Sequence, residues 1–182
     1  MTKVTLTRPG KPRRWLQLYR LYLAAFPAAE RKPFSMILGM YRKGKTDIWA
    51  VESAGKFRGL AITINSPRII LLDYLAVCES ARGQGVGTAV LAQLQQIYSG
   101  KGFFLEIEST HEAASNQLQR QNRKRFYLAA GLEEMHTEAM LFGVRMELLG
   151  KGCRLDFTQY RNFYRDNYNA WAAEHITEVP AE

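Results

Sequence analysis

Three apolar runs in the middle of the chain, Ile48 to Glu52, Phe57 to Asn65 and Ile69 to Val77, limit the fold more than any other feature. Each is rich in β-branched and aromatic residues and reads as a strand. Only Ala54-Gly55-Lys56 and Ser66-Pro67-Arg68 separate them. Connections this short return the chain alongside itself, since a parallel crossover needs a dozen or more residues. The centre is therefore predicted to be a three-stranded antiparallel meander, which is wrong for a wholly parallel sheet.

Helical spacing surrounds this centre. Trp15, Leu18, Tyr19, Tyr22, Leu23 and Phe26 share one face of a helix that begins near Arg13 and ends at Pro27, with Arg13, Arg14, Gln17 and Arg20 on its polar side. A basic stretch follows through Arg31-Lys32-Pro33 and Arg42-Lys43-Gly44-Lys45, with a short helix at Met36-Ile37-Leu38. Beyond Val77 a glycine-rich segment enters a helix carrying Val86, Val90, Leu91, Leu94, Ile97 and Tyr98, stopped by Gly100 and Gly102. Phe103 to Glu108 reads as a strand. A helix through Phe126-Tyr127-Leu128 ends at Gly131, and Met140 to Leu149 reads as one further strand. The tail repeats Phe157, Tyr160, Tyr164, Tyr168 and Trp171 at helical spacing, as core or as the contact of a homodimer.

With 182 residues, 47% of them hydrophobic and 23% charged, the chain is of ordinary globular composition. A domain of this size buries roughly 70% of the surface its unfolded form exposes, so it needs no disulfide or structural metal. Cys78 and Cys153 are far apart, and His111, His136 and His175 show no paired spacing. No metal is expected, and a reducing, cytoplasmic compartment fits best. There is no apolar run long enough for a secretory signal or a membrane span, so no membrane partner is expected. Against 17 Asp and Glu stand 25 Lys and Arg, a formal charge of +8 that implies an anionic partner. Nucleic acid is disfavoured, because it would require exposed aromatics and these recur at core spacing.

Three readings of two glycine segments compete for that anion. Gly39-Met40-Tyr41-Arg42-Lys43-Gly44-Lys45-Thr46 matches the nucleotide P-loop formally, but a P-loop needs a strand before it and a helix after it. The β-rich Asp47 to Val51 follows instead. A dinucleotide fingerprint on Gly83, Gly85 and Gly87 fails because its third glycine would fall at Thr88, although Glu106 follows at a plausible distance for a ribose-binding acid. The third reading takes Leu75-Ala76-Val77 as a strand end, Cys78 to Ala81 as a polar connection and Arg82-Gly83-Gln84-Gly85-Val86-Gly87-Thr88 as a turn into a helix. Such a turn is an anion nest whose amides face a pyrophosphate, with Arg82 adding charge.

On these residues the chain resembles the GNAT superfamily of acyl-CoA-dependent N-acetyltransferases. The family's pyrophosphate loop reads Arg or Gln, two residues, Gly, one residue, then Gly or Ala, and Arg82, Gly85 and Gly87 match in order. Phe126-Tyr127-Leu128-Ala129-Ala130-Gly131-Leu132 is similar to the family's aromatic-Tyr helix, and element order agrees over roughly residues 4 to 149. Many members carry Asn seven residues before this Tyr. Here Arg120 stands in its place, with Asn122 nearby as this helix's expected cofactor contact. The run Arg120, Arg123, Lys124 and Arg125 is left to the nucleotide phosphates or to a solvated face.

The resemblance implies an α/β (α+β) fold, a mixed and mostly antiparallel central sheet flanked by helices. It implies a single domain over 1–182, with 150–182 a helical extension. It also implies an enzyme: acetyl-CoA as co-substrate, an amine as acceptor, and direct attack without a covalent intermediate. The pantetheine arm would pair with Leu75-Ala76-Val77, where the family splays this strand from the next, and the amide of Leu75 or Val77 would hold the oxyanion. Tyr127 would protonate the departing thiolate. Asp73, Glu106, Glu108 and Glu30 are the carboxylates from which a base would come. A packed role is expected for Cys78. The rival readings are an acyl-CoA-binding module without turnover and the P-loop at Gly39 to Thr46.

Overall fold

The computed structural model describes residues 2–179. The chain forms two compact units, Met1–Asn65 with Leu72–Ser99, and Ser66–Leu71 with Gly100–Glu182.

In the first unit, helix α1 spans Pro12–Ala25 and α2 spans Phe34–Arg42. Pro12 presets the backbone at the first helical position, where its missing N–H is no loss. Strands β1 (Thr5–Thr7), β2 (Thr46–Ser53) and β3 (Lys56–Asn65) pair antiparallel, Thr5 with Glu52 and Ser53 with Lys56. Ala54 and Gly55 both take positive φ, 49° and 71°, the two-residue turn whose twist suits a hairpin. The leading edge of the meander, β4 (Ile69–Val77), contributes Leu72–Val77 to this unit, and α3 (Val86–Ile97) follows it. One face of β2 and β3, with Ile48, Ala50, Leu60 and Ile62, joins Tyr74 and Ala76 under Leu18, Tyr22 and Ile37 of the helices. Each Leu or Ile among them contributes roughly 1.5–3 kcal/mol by leaving water. On the other face Tyr98 Oη accepts from Trp49 Nε1 at 3.2 Å and donates to Asp47 Oδ2 at 2.6 Å.

The second unit starts from the first residues of β4. Ile69, Ile70 and Leu71 pair in parallel with Gly102, Phe103 and Phe104 of β5 (Gly102–Glu108). Next come α4 (Gln117–Ala129), β6 (Glu133–Leu141), β7 (Val144–Lys151), α5 (Phe157–Asn167), α6 (Ala170–Glu174) and β8 (Ile176–Thr177). β7 pairs antiparallel with both β5 and β6, and β6 with β8. Since β4 belongs to both units, the hydrogen-bonded order is an eight-stranded sheet, β1-β2-β3-β4-β5-β7-β6-β8, antiparallel except at β4/β5 and with the β3/β4 connection of three residues.

Two sequence expectations change here. Met140 to Leu149 is a hairpin, not one strand: Phe142 and Gly143 take φ 49° and 83° and turn the chain. Its first arm is polar, and a register shift between Glu134 and Glu138, with His136 at φ 55°, breaks the alternation that would have marked it. The aromatic tail is likewise two helices. Asn169 starts α6 by accepting from Ala172 N–H at 2.7 Å, a capping role that competes with continuing the helix. Among the described residues no helix is long and apolar enough to cross a membrane.

Candidate functional site

The glycine-rich loop of the first unit turns the chain from β4 into α3. After Val77 a single 3-10 turn, Glu79–Ala81, buries Ala81 and leads to Arg82, Gly83, Gln84 and Gly85, all exposed. Gly83 and Gly85 take φ 72° and 73°, which a residue with a Cβ adopts only under strain. Gly85 caps α3 without a side-chain bond, and the first turn, Val86, Gly87 and Thr88, holds no acid. Ala89 N–H bonds back to Gly85 C=O at 3.0 Å, while the amides ahead of it have no intrahelical acceptor. They lie at the positive end of the helix dipole, with Val86 buried beneath as anchor. Around them Gln84 Nε2 donates to Ser80 C=O at 2.9 Å and the Thr2 hydroxyl donates to Gln84 C=O. Arg82 Nε lies 3.4 Å from Val77 C=O.

The strand leading into this loop alternates as the pleat requires: Tyr74 and Ala76 are buried, whereas Asp73, Leu75 and Val77 lie on the partly open side. Asp73 Oδ1 takes the Lys32 ammonium at 2.5 Å, and its Oδ2 is buried without a hydrogen-bond partner. The segment bearing Lys32 is held by two tyrosines. Tyr22 Oη donates to Lys32 C=O at 2.8 Å, and Lys32 N–H donates to Tyr74 Oη at 3.0 Å. Tyr74 Oη in turn donates to Glu30 C=O at 3.1 Å. Glu30 itself is exposed, in a 3-10 turn. Burial raises the pKa of both tyrosines, so they serve as neutral hydroxyls. Burial also raises that of the Cys78 thiol, away from a nucleophilic thiolate.

In the second unit Tyr127 sits half-buried on α4, its ring 5.0 Å from that of Phe126. Burial pushes its pKa up to about 12 against the pull of Arg123. Among the described residues its hydroxyl has no hydrogen-bond partner, so it keeps a proton to give. Glu106 on β5 accepts from Tyr160 and Tyr164 of α5, each at 2.8 Å. Glu108 is clamped by Arg120 at 2.8 Å and Arg123 at 3.2 Å. Lys124 reaches Glu147 at 2.5 Å and Glu134 at 2.9 Å. The basic run of α4 is thus largely ion-paired, with Arg125 and Asn122 left exposed.

Sequence reasoning missed Glu147, which is 4% exposed and also accepts from Thr110. Its only signal was a charge inside an apolar strand. His111, Glu138 and Glu147 approach within 4.8 Å of one another, but Lys124 lies on Glu147 and Arg145 on Glu138, cations that oppose a metal. The P-loop reading is overturned: Gly39 to Arg42 finish α2 and Thr46 opens β2, so a helix enters and a strand leaves, the reverse of what phosphate binding there requires.

The acetyltransferase (GNAT) family model matches residues 15–127, and the chain belongs to that family of acyltransferases. Among curated proteins none matches significantly. A GNAT-family acetyltransferase of Bacteroides thetaiotaomicron has the same fold at a TM-score of 0.75 and 16% identity, over 94% of this chain and 98% of its own. A Bacillus subtilis acetyltransferase solved with CoA gives 0.57 and 14%, over 82% and 97%. An Arabidopsis thaliana protein solved with acetyl-CoA gives 0.61 and 14%, over 82% and 98%.

Proposed function

We propose that the protein moves an acetyl group from acetyl-CoA to a primary amine by direct attack in a ternary complex. The observation that carries this reading is the Arg82–Thr88 loop, with two positive-φ glycines, the uncapped amides of α3 and no acid in the first turn. A pyrophosphate is the ligand such a seat fits. The two similar structures solved with CoA and acetyl-CoA support the choice of co-substrate.

The residues divide the work. Arg82, Gly83, Gln84, Gly85, Val86, Gly87 and Thr88 hold the pyrophosphate, and the backbone of Leu75, Ala76 and Val77 pairs with the pantetheine arm. Asp73, two residues before Leu75 on the same side of β4, receives the acceptor's ammonium and takes its proton. The neutral amine attacks the thioester carbonyl, and the amide of Leu75 or Val77 donates to the developing oxyanion. Tyr127 protonates the thiolate; support for that role is its unpartnered hydroxyl and the resemblance of its helix. Glu106 and Glu108, engaged by tyrosines and arginines, are assigned to holding α5 and α4, and Glu30 contributes its backbone C=O to the loop that bears Lys32.

Release of free thiol from acetyl-CoA, measured with a panel of small amines, tests the reading. Amine-dependent release supports it. Stabilisation by CoA with no release for any amine would instead favour the acyl-CoA-binding module.

A further inference from the structure

The amine seat proposed for Asp73 is already filled by an amine of the chain itself. Lys32 Nζ lies 2.5 Å from Asp73 Oδ1, on a carboxylate whose side chain is only 4% exposed, while that of Lys32 is 20% exposed. The backbone of Lys32 is fixed on both sides, by the Tyr22 hydroxyl at its C=O and the Tyr74 hydroxyl at its N–H. Its ammonium also lies 5.5 Å from the centre of the Tyr74 ring. A surface lysine sweeps many rotamers, whereas this one is held on a buried carboxylate beside an aromatic ring. Asp73 Oδ2, buried and without a partner, marks unused capacity for a second donor at the same place.

The seat stands next to where the thioester would be held. Asp73 and Leu75 are alternate residues on the partly open side of β4, roughly 7 Å apart along the strand, about the reach of a lysine side chain. Lys32 therefore meets the two requirements placed on an external acceptor, an ammonium on the base and proximity to the strand that carries the donor.

We infer that Lys32 is a self-acetylation site and the resident competitor of the acceptor amine, an inference that rests on the acetyl-transfer reading above. Asp73 takes one proton from the Lys32 ammonium. The neutral Nζ forms a bond to the acetyl carbonyl carbon as the carbon–sulfur bond breaks, and the second nitrogen proton ends on the departing thiolate as CoA thiol. Asp73 returns its proton to solvent. The product, an N-acetyl-lysine, carries no charge, so Asp73 loses its counter-ion and becomes an acidic seat for a cationic acceptor. This gives a chain of net charge +8 a local preference for amines that its overall charge would repel.

The experiment incubates the full-length protein with acetyl-CoA and no added amine, follows intact mass and maps the modified peptide. A single acetyl group at Lys32 is expected, gained at a rate independent of protein concentration and ahead of the exposed Lys43 and Lys56. Asp73→Asn should slow it by about 100-fold, the lower end for a positioned base. Lys32→Gln, which removes the cation, should lower KM for a short diamine by about tenfold. Acetylation that follows exposure, or a rate proportional to protein concentration, overturns the inference. So does an unchanged diamine KM. A thermal shift with acetyl-CoA but no acetyl on Lys32 refutes self-acetylation alone, whereas no shift at all removes the donor-binding reading and this inference with it.

Discussion

Gly59 of β3 lies directly against Ala76 of β4: a Cβ at position 59 would stand 2.5 Å from the Ala76 carbonyl oxygen. The strand proposed to carry the pantetheine arm is therefore set by its neighbour's lack of a side chain. Gly59→Val must push backbone rather than a flexible side chain, and overpacking of this kind costs roughly 1–3 kcal/mol. We expect a loss near the upper end, about 3 kcal/mol by denaturant unfolding, together with weaker acetyl-CoA binding. A Gly59→Val protein of unchanged stability would show that β4 can yield at Ala76.

Tyr127→Phe removes one oxygen that, among the described residues, bonds to nothing, so the fold should tolerate it. If Tyr127 protonates the thiolate, kcat falls by roughly 100-fold with acetyl-CoA affinity unchanged. With its pKa pushed up to about 12 by burial, the hydroxyl stays protonated through neutral and mildly alkaline pH, so no loss of activity from its ionisation is expected below pH 10. Steady-state kinetics beside equilibrium binding separates these effects.

Glu147 couples stability to pH. Burial raises its pKa, but the hydrogen bonds from Lys124 and Thr110 outweigh burial and hold it below the ordinary 4.5. The unfolded chain therefore binds the proton more readily. The pair's contribution is full above about pH 4.5 and is lost as pH falls through the depressed value. Lys124→Met leaves a buried carboxylate without its cation, a change that costs roughly 3–5 kcal/mol when a pair is fully buried. We expect about 3 kcal/mol, because the Thr110 donors remain. Glu147→Gln should flatten the acid limb of the stability profile, as read by urea unfolding between pH 3 and 6.

Tyr160 and Tyr164 converge on Glu106 and tie α5 to β5. Removing one partner of a buried hydrogen bond costs roughly 1–3 kcal/mol. Tyr164→Phe and Tyr160→Phe should each cost about 2 kcal/mol, and the double variant should depart from the sum, since both hydroxyls share Glu106 Oε1. Thermal unfolding of the three variants checks this. Thiol release that survives in Glu106→Gln would agree with its anchoring role; its abolition with the fold intact would make Glu106 the base.

The central meander was legible because Ala54-Gly55-Lys56 and Ser66-Pro67-Arg68 leave the chain no other route, and the tight turn into α3 because Gly83 and Gly85 permit positive φ. The β6/β7 hairpin was not, because β6 presents Glu133, Glu134, His136 and Glu138 with a register shift among them, and period-two patterning fails at a bulge. Charge partners were the least readable. Arg120, Arg123 and Lys124 looked like a phosphate-binding or solvated face, and their carboxylates, Glu108, Glu134 and Glu147, come from three different strands. Nor does spacing relate Lys32 to Asp73, which are brought together by loop closure onto β4 through Tyr22 and Tyr74.

Calorimetric titration of acetyl-CoA into the wild-type protein and into Gly85→Val is the most direct test of the anion seat. Position 85 holds φ 73°, and a Cβ there would also stand 3.5 Å from Thr2 Oγ1, so valine distorts the loop while leaving the apolar core untouched. The wild type should bind with one site, competed by CoA and not by NAD, and Gly85→Val should bind at least about tenfold more weakly, the effect of losing roughly one charge-assisted hydrogen bond. Equal affinity in the two proteins, or no binding by the wild type, would contradict the assignment of this loop to the pyrophosphate.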